Sequence, residues 1–215
     1  MTRIVKKPEE RKTEILDAAE KLFHTKGYEA TTISDIIAKA GIARGTVYYY
    51  FKSKDEIMDA VIERSIVNQI ESLMPIVNKQ NLDAVAKIKQ IITENSKMNL
   101  ANQDMLDYLH QPQNVTMHQK SLVQGVRKSA PVIAQIIQQG VDEGQFKTEY
   151  PLELAEIILV GISFLFDPSI FPRSRAEYLT RMRALADVFE TTLRADQGSF
   201  DFLPLLAEEI FPGQD

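Results

Sequence analysis

Apolar residues recur at helical spacing along most of the chain. Ile15, Ala18, Ala19, Leu22 and Phe23 repeat at three- and four-residue intervals, which lays side chains along one face of a helix. Pro8-Glu9-Glu10 opens this helix, because proline suits a first turn and acids favour the positive end of the helix dipole. Gly27 ends it. Thr32 followed by Asp35 predicts a capped second helix, with Ile36, Ile37 and Ala40 on its buried side. Gly41 allows a tight turn, and a short helix is predicted from Ala43 to Tyr50. Ser53, Lys54, Asp55 and Glu56 read as a capping box that starts a long helix carrying Ile57, Ala60, Val61, Ile66, Ile70, Leu73 and Met74. Pro75 kinks or stops that pattern. Further helices are predicted near 81–109, 120–143, 151–166 and 174–195, with a short amphipathic piece over 202–210. Turn signals fall at Gln111-Pro112, Gly140, Gly144, Tyr150-Pro151, Asp167-Pro168 and Phe171-Pro172. Alternating strand patterns with flanking turn signals are missing, so the expected fold is all-α.

Composition narrows the possible functions. The 215 residues contain no cysteine, which excludes disulfides, thiolate metal sites and thiol nucleophiles. Only three histidines are present. No apolar run reaches membrane-spanning length and no apolar leader opens the chain, so a cytoplasmic protein with no membrane partner is expected. Net charge is -5, but its distribution is uneven. Residues 1–54 carry eleven Lys/Arg against seven Asp/Glu, whereas the rest carries fourteen against twenty-three. A basic head on an acidic body points the head towards an anionic partner. The division is expected at 1–53 and 54–215, within reach of the helix that starts near Lys54.

The region 32–50 reads as helix, glycine turn, short helix, which is the helix-turn-helix pattern. At about 100° per residue, Val47 and Phe51 lie roughly 40° apart on one side of the short helix and can pack on Ile36 and Ile37. Tyr49 then points away from the core. Gly45, Thr46 and Tyr48 share its outward arc, and Tyr50 lies on the flank. Tyrosine hydroxyls reach phosphate oxygens, and their rings pack on sugars and thymine methyls. Arg44 is long enough to reach a guanine edge. Lys54 sits in the first turn of the next helix, where free amides already favour phosphate. Thr31 and Thr32 start the preceding helix, and either hydroxyl can bond a DNA backbone.

The ordered run "TTISDIIAKAG", "GTVYYYF" and "KSKDEI" closely resembles the DNA-binding head of the tetracycline-repressor (TetR) family of transcription regulators. The resemblance covers residues 11–58, and the all-helical remainder agrees in length and layout. Ala43 departs from it, since many relatives have Ser or Thr there to cap the recognition helix; Gly41 and neighbouring packing are expected to hold the turn instead. The resemblance implies an N-terminal three-helix helix-turn-helix head and a C-terminal helical body for ligand binding and dimerisation. It implies a homodimer that represses transcription at an inverted-repeat operator of double-stranded DNA. By position, base contacts would fall to Arg44, Gly45, Thr46 and Tyr49, and phosphate contacts to Thr32, Tyr48, Tyr50 and Lys54.

Within the body, "LELAEIILVGISFLF" is apolar almost all round, which suits an interface between bundles. By family analogy, the helices near 151–166 and 174–195 form the dimer contact. Candidates are Leu154, Ile157, Ile158, Gly161 and Leu165 on the first, and Tyr178, Met182, Leu185 and Phe189 on the second. The middle helices are expected to surround the cavity of an unidentified small-molecule effector. Candidate contacts are Asn95, Met98, Asn99, Met105, Tyr108, Leu109, His110, Met117, His118 and Phe146, because soft and aromatic side chains adapt to apolar ligands. His110 and His118 flank a Gln/Asn/Pro-rich turn and are expected to be exposed or locally hydrogen-bonded rather than metal ligands. No metal or cofactor is expected. The sequence carries no phosphate-binding glycine loop, no G-x-S-x-G and no H-E-x-x-H, so no enzyme is expected. The rival reading is a helix-turn-helix protein that acts mainly through protein–protein contacts.

Overall fold

The structure, a computed structural model of the chain, describes residues 7–101 and 103–210, with the side chains at 104, 105 and 210 outside that description. The ligand candidate Met105 thus lies outside the described residues. Every regular element among the described residues is helical: α1 (Pro8–Lys26), α2 (Ile33–Ala40), α3 (Arg44–Tyr50), α4 (Lys54–Val77), α5 (Ala84–Ala101), α6 (Gln103–Leu109), a 3-10 turn (Pro112–Asn114), α7 (Val115–Asp142), α8 (Pro151–Leu165), α9 (Arg175–Leu193) and α10 (Phe202–Ile210). The all-α expectation holds.

Local chemistry accounts for the boundaries. Pro8 occupies the first turn of α1, and Gly27 ends it at φ 92°, a backbone angle that disfavours a side chain. At α2, the Thr32 hydroxyl accepts the Asp35 N–H at 3.1 Å, and the Asp35 carboxylate accepts the Thr32 N–H at 2.8 Å. That reciprocal pair is the capping box read from sequence. Ala43 gives α3 no side-chain cap; left-handed Gly41 and buried Ile42 set the turn instead. The box at α4 is shifted. Ser53 Oγ accepts the Glu56 N–H at 3.1 Å, but the Glu56 carboxylate takes the Lys52 N–H at 2.7 Å, one residue before the expected donor. Pro75 falls inside the last turn of α4, so the helix survives it by only two residues.

Two boundaries differ from the sequence reading. The single stretch expected over 81–109 is described as α5 and α6. The helix expected from 120 starts at Val115, because Pro112 opens a 3-10 turn that feeds directly into α7.

Cα packing divides the chain into two compact units that do not follow chain order. One holds the described residues up to Val67 together with Gln103–Gln124, and the other holds the remainder. The first buries Ile15, Ala19 and Phe23 of α1, Ile36 of α2, Val47 of α3, and Ile57, Met58 and Val61 of α4. Arg64 of α4 reaches back to α1, pairing with Asp17 at 2.7 Å and Glu20 at 2.5 Å. In the second unit α10 packs on α9 and α5. Its core gathers Phe146, Phe189 and Phe200, with the Phe189 and Phe200 rings edge-on at 5.0 Å. Lys87 is buried there; its ammonium donates to Val77 O at 2.6 Å and Gln139 Oε1 at 2.7 Å. Those bonds satisfy a carbonyl at the end of α4 that its own helix leaves unpaired.

Candidate nucleic-acid interface

Helix α3 is short, and its sidedness is sharp. Val47 is fully buried and Phe51 nearly so, which fixes the rotation of the helix about its axis. Tyr49 is consequently 75% exposed. Arg44 and Gly45 are exposed, while Thr46, Tyr48 and Tyr50 are half-buried. The Tyr49 and Tyr50 rings meet edge-on at 5.1 Å, and the Arg44 guanidinium lies 5.5 Å from the Tyr48 ring centroid. Each ring thus braces a neighbour, and both Arg44 and Tyr49 remain at the surface. No Cβ added at Gly45 would meet another atom within 4 Å, so its backbone is open to close approach from outside.

The flanking positions separate. Thr32 is exposed, with its hydroxyl engaged in the α2 cap. Thr31 is only 1% exposed, and its hydroxyl donates to Gly27 O at 2.6 Å; it holds the turn between α1 and α2 and presents no group to solvent. Lys54 donates to Tyr28 O at 2.8 Å and Glu29 O at 3.2 Å. Its ammonium is therefore a staple on that same turn as well as a charge beside α3. Lys26 and Asp35 pair at 2.6 Å, and that bond, with those from Thr32, holds the Asp35 carboxyl down to about 2.

Tyr28 and Asn114 were not singled out in the sequence. In the structure the Tyr28 hydroxyl donates to Asp55 Oδ1 at 2.5 Å, and burial followed by that partner pushes its pKa well above the usual tyrosine value. The same bond lowers the Asp55 pKa. Asn114 is fully buried and accepts the Tyr28 N–H at 3.0 Å.

The effector candidates fall in both units. Tyr108, Leu109, His110, Met117 and His118 belong to the first, where Tyr108 and His118 are buried and the other three half-buried. The His110 and His118 rings lie 4.9 Å apart. Of the two expectations for His118, exposure or a local hydrogen bond, exposure does not hold, because α7 begins early enough to take it in. Asn95, Met98, Asn99 and Phe146 belong to the second unit. Asn95 accepts from Gln69 at 3.2 Å, Met98 Sδ lies 3.8 Å from Ser72 Oγ, and Asn99 is exposed. Phe146 is 3% exposed and stacks on Phe200 at 6.2 Å, a core position.

The dimer candidates also divide. On α8 one side packs into the core through Ala155, with Leu154 and Ile158 half-buried against it. The other side leaves Ile157 67%, Val160 46%, Phe164 39% and Leu165 42% exposed. Gly161 lies among them, with open space where a Cβ would stand. On α9, Met182 and Phe189 are core residues, and Tyr178 and Leu185 pack against that core. The stripe read from sequence on α9 is its inner face; Ala184 and Val188 are exposed on the outer one.

An all-helical chain whose capped helix-turn-helix presents arginine, glycine and tyrosines from its second helix is a DNA-binding regulator in class. Residues 15–61 match the bacterial regulatory proteins of the tetR family, and residues 97–188 match the tetracyclin repressor-like C-terminal domain. The chain belongs to the TetR family of transcriptional regulators. It is 24% identical over 194 residues to the uncharacterized HTH-type transcriptional regulator YfiR of Bacillus subtilis, covering 88% of this chain and 95% of that one. It is 25% identical over 148 residues to the HTH-type transcriptional repressor KstR2 of Rhodococcus jostii, covering 67% and 72%. Among solved structures it resembles SmeT, the repressor of the Stenotrophomonas maltophilia multidrug efflux pump SmeDEF. The TM-score is 0.61 at 24% identity, covering 87% of this chain and 92% of that one. No helix among the described residues is long and apolar enough to cross a membrane.

Proposed function

We propose that this regulator is a cytoplasmic homodimeric repressor that binds an inverted-repeat operator and is released from it by a small-molecule effector. The observation that carries the reading is the outward face of α3, where Tyr49 stands 75% exposed beside Arg44 and Gly45. Arg44, Gly45, Thr46 and Tyr49 read base edges, while Thr32, Tyr48, Tyr50 and Lys54 hold phosphates. Tyrosines on a surface helix need no function, but a guanidinium, an open glycine and three rings on one arc match the mix of base-edge and backbone contacts that a major groove offers.

One seven-residue helix reads too few base pairs to be selective. Two copies related by a two-fold axis address two half-sites about 34–36 Å apart, or a multiple of that. The exposed apolar side of α8, with Val188 of α9, supplies the contact between copies. Repression is supported by the relative KstR2, whose name describes a repressor. The protein has no catalytic role in this reading.

Selection from random duplex DNA tests it. The expected product is a two-fold symmetric site whose binding falls steeply with salt, by the counterion release that phosphate contacts impose. Enrichment of no sequence, or of an asymmetric one, overturns the reading. Candidate effectors are then titrated against the selected complex. A ligand that binds but leaves DNA affinity unchanged is no effector, since release requires differential binding to two states.

A further inference from the structure

We infer that Asn114 is a positioning residue that couples the 103–124 segment to the DNA-reading head, through a single backbone bond to Tyr28. The inference rests on the DNA-binding reading and adds a regulatory connection to it.

The turn between α1 and α2 immediately precedes the Thr32 cap, so its pose sets where α2, and α3 packed on it, begins. Three side chains from two other elements hold that turn. Lys54 of α4 donates to the carbonyls of Tyr28 and Glu29. Asp55 of α4 takes the Tyr28 hydroxyl. Asn114, at the end of the 3-10 turn, takes the Tyr28 N–H. The first two partners come from the helix that follows the head directly. The third is 86 residues away in sequence.

Asn114 also holds Tyr108. Its Nδ2 donates to Tyr108 O at 2.8 Å, and its Oδ1 accepts the Tyr108 hydroxyl at 3.2 Å. One side chain with no exposed surface therefore binds the backbone of the head and both ends of Tyr108 at once. Buried polar groups without partners are costly, so these bonds are made or lost together. Contacts around them lock the same seam: the Tyr108 ring lies 4.8 Å from His24 of α1, and Gln113 abuts Gly27 so closely that an added Cβ would stand 3.0 Å from it. Lys120 of α7 pairs with Asp59 of α4 at 3.0 Å. Anything that moves Tyr108 must pull on Asn114, hence on the Tyr28 amide, hence on the start of α2.

A dimeric reader depends on holding two heads in register. A head released from Asn114 must be ordered again on binding, which weakens the complex. The test uses Asn114→Ala and Asn114→Asp in the full-length protein. Asp keeps an acceptor for the Tyr28 N–H and loses the donor to Tyr108 O. The readouts are hydrogen exchange at the Tyr28 amide and affinity for the duplex selected by the wild-type protein. Asn114→Ala is expected to speed exchange at Tyr28 and weaken DNA binding, each about tenfold, the loss of one bond's worth of stability. Amides of α8 and α9 should be unchanged. Asn114→Asp, which sets a carboxylate against the Tyr108 carbonyl in a site with no exposed surface, should speed exchange and weaken binding at least as much. Unchanged exchange and affinity in Asn114→Ala overturn the inference. So does faster exchange throughout α8 and α9, which would mark a general role in folding. If the wild-type protein selects no duplex, the DNA reading fails instead, and exchange at Tyr28 alone still decides whether Asn114 grips the turn.

Discussion

The Lys54 ammonium lies 4.2 Å from the centroid of the Tyr28 ring and donates to the carbonyl of that same residue at 2.8 Å. A side chain in the first turn of α4, proposed to hold a phosphate, thus also clamps the turn that starts α2. Lys54→Met keeps the aliphatic stem and removes both functions. Denaturant unfolding should show a loss of ~1 kcal/mol, the scale of charge-assisted hydrogen bonds at a half-exposed site. The slope of log affinity against log salt should flatten by about one unit, as one phosphate contact disappears. A flatter slope with unchanged stability would remove the clamp role; lower stability with an unchanged slope would remove the phosphate role.

Arg44 is exposed at the first turn of α3, with its guanidinium over the Tyr48 ring. Stacking orients the planar fork without consuming its donors. Arg44→Ala should cost roughly 1–3 kcal/mol at the cognate site and relax preference at one position per half-site. Affinity for random duplex should change far less. Equal losses on cognate and random DNA would reassign Arg44 to the phosphates.

The head was legible in the sequence because its signals are local. Gly27, the Thr32–Asp35 box and Gly41 fix three boundaries within fifteen residues, and Val47 and Phe51 fix the rotation of α3. Long-range pairings were not legible. Nothing in the order of residues says that Asn114 meets Tyr28, since the bond joins a Gln/Asn/Pro-rich loop to a turn 86 positions earlier. Sidedness on α9 failed for another reason. Its inner and outer faces both carry apolar residues, so periodicity does not separate Met182 and Phe189 in the core from Val188 at the surface. Thr31 and Thr32 are adjacent and identical, yet only the structure tells the buried turn-holder from the exposed cap.

Asp35 makes the α2 cap sensitive to acid. Its carboxyl is held down to about 2, first by Lys26 and then by the N–H and hydroxyl of Thr32. In an unfolded chain the value is about 3.9. The ionised form therefore contributes stability that is fully present above about pH 4 and is lost as pH falls towards 2. Amide exchange in the first turn of α2 should accelerate across that window. Asp35→Asn should show fast exchange at neutral pH already and little further change on acidification. A wild-type profile flat from pH 5 to 2 would count against the cap's dependence on this carboxylate.

Gly140 is a packing glycine inside α7. A Cβ built there would stand 2.1 Å from the Phe146 ring, which is itself 3% exposed and stacked on Phe200. The ring has no room to withdraw. Gly140→Ala should destabilise the protein by roughly 1–3 kcal/mol, despite alanine's better helix propensity, because overpacking in a dense core outweighs it. Phe146→Leu in the same chain should recover part of that loss. A neutral or stabilising Gly140→Ala, measured by thermal unfolding, would show that the core yields more readily than its burial implies.

The two faces of the α8–α9 pair should respond in opposite ways to substitution. Ile157 is 67% exposed and projects from α8 beside Gly161, so a charge there costs the folded monomer little. In a two-fold interface the same change buries two like charges, one from each copy. Ile157→Glu should therefore yield a monomer by light scattering, with helical content intact and DNA affinity sharply reduced. Met182 is 6% exposed within the core of its own chain. Met182→Ala should lower stability by about 2–5 kcal/mol through lost burial and a residual cavity, with the dimer persisting wherever the protein remains folded. A dimer that tolerates Ile157→Glu would move the interface off the exposed side of α8 and leave that apolar stripe without an occupant.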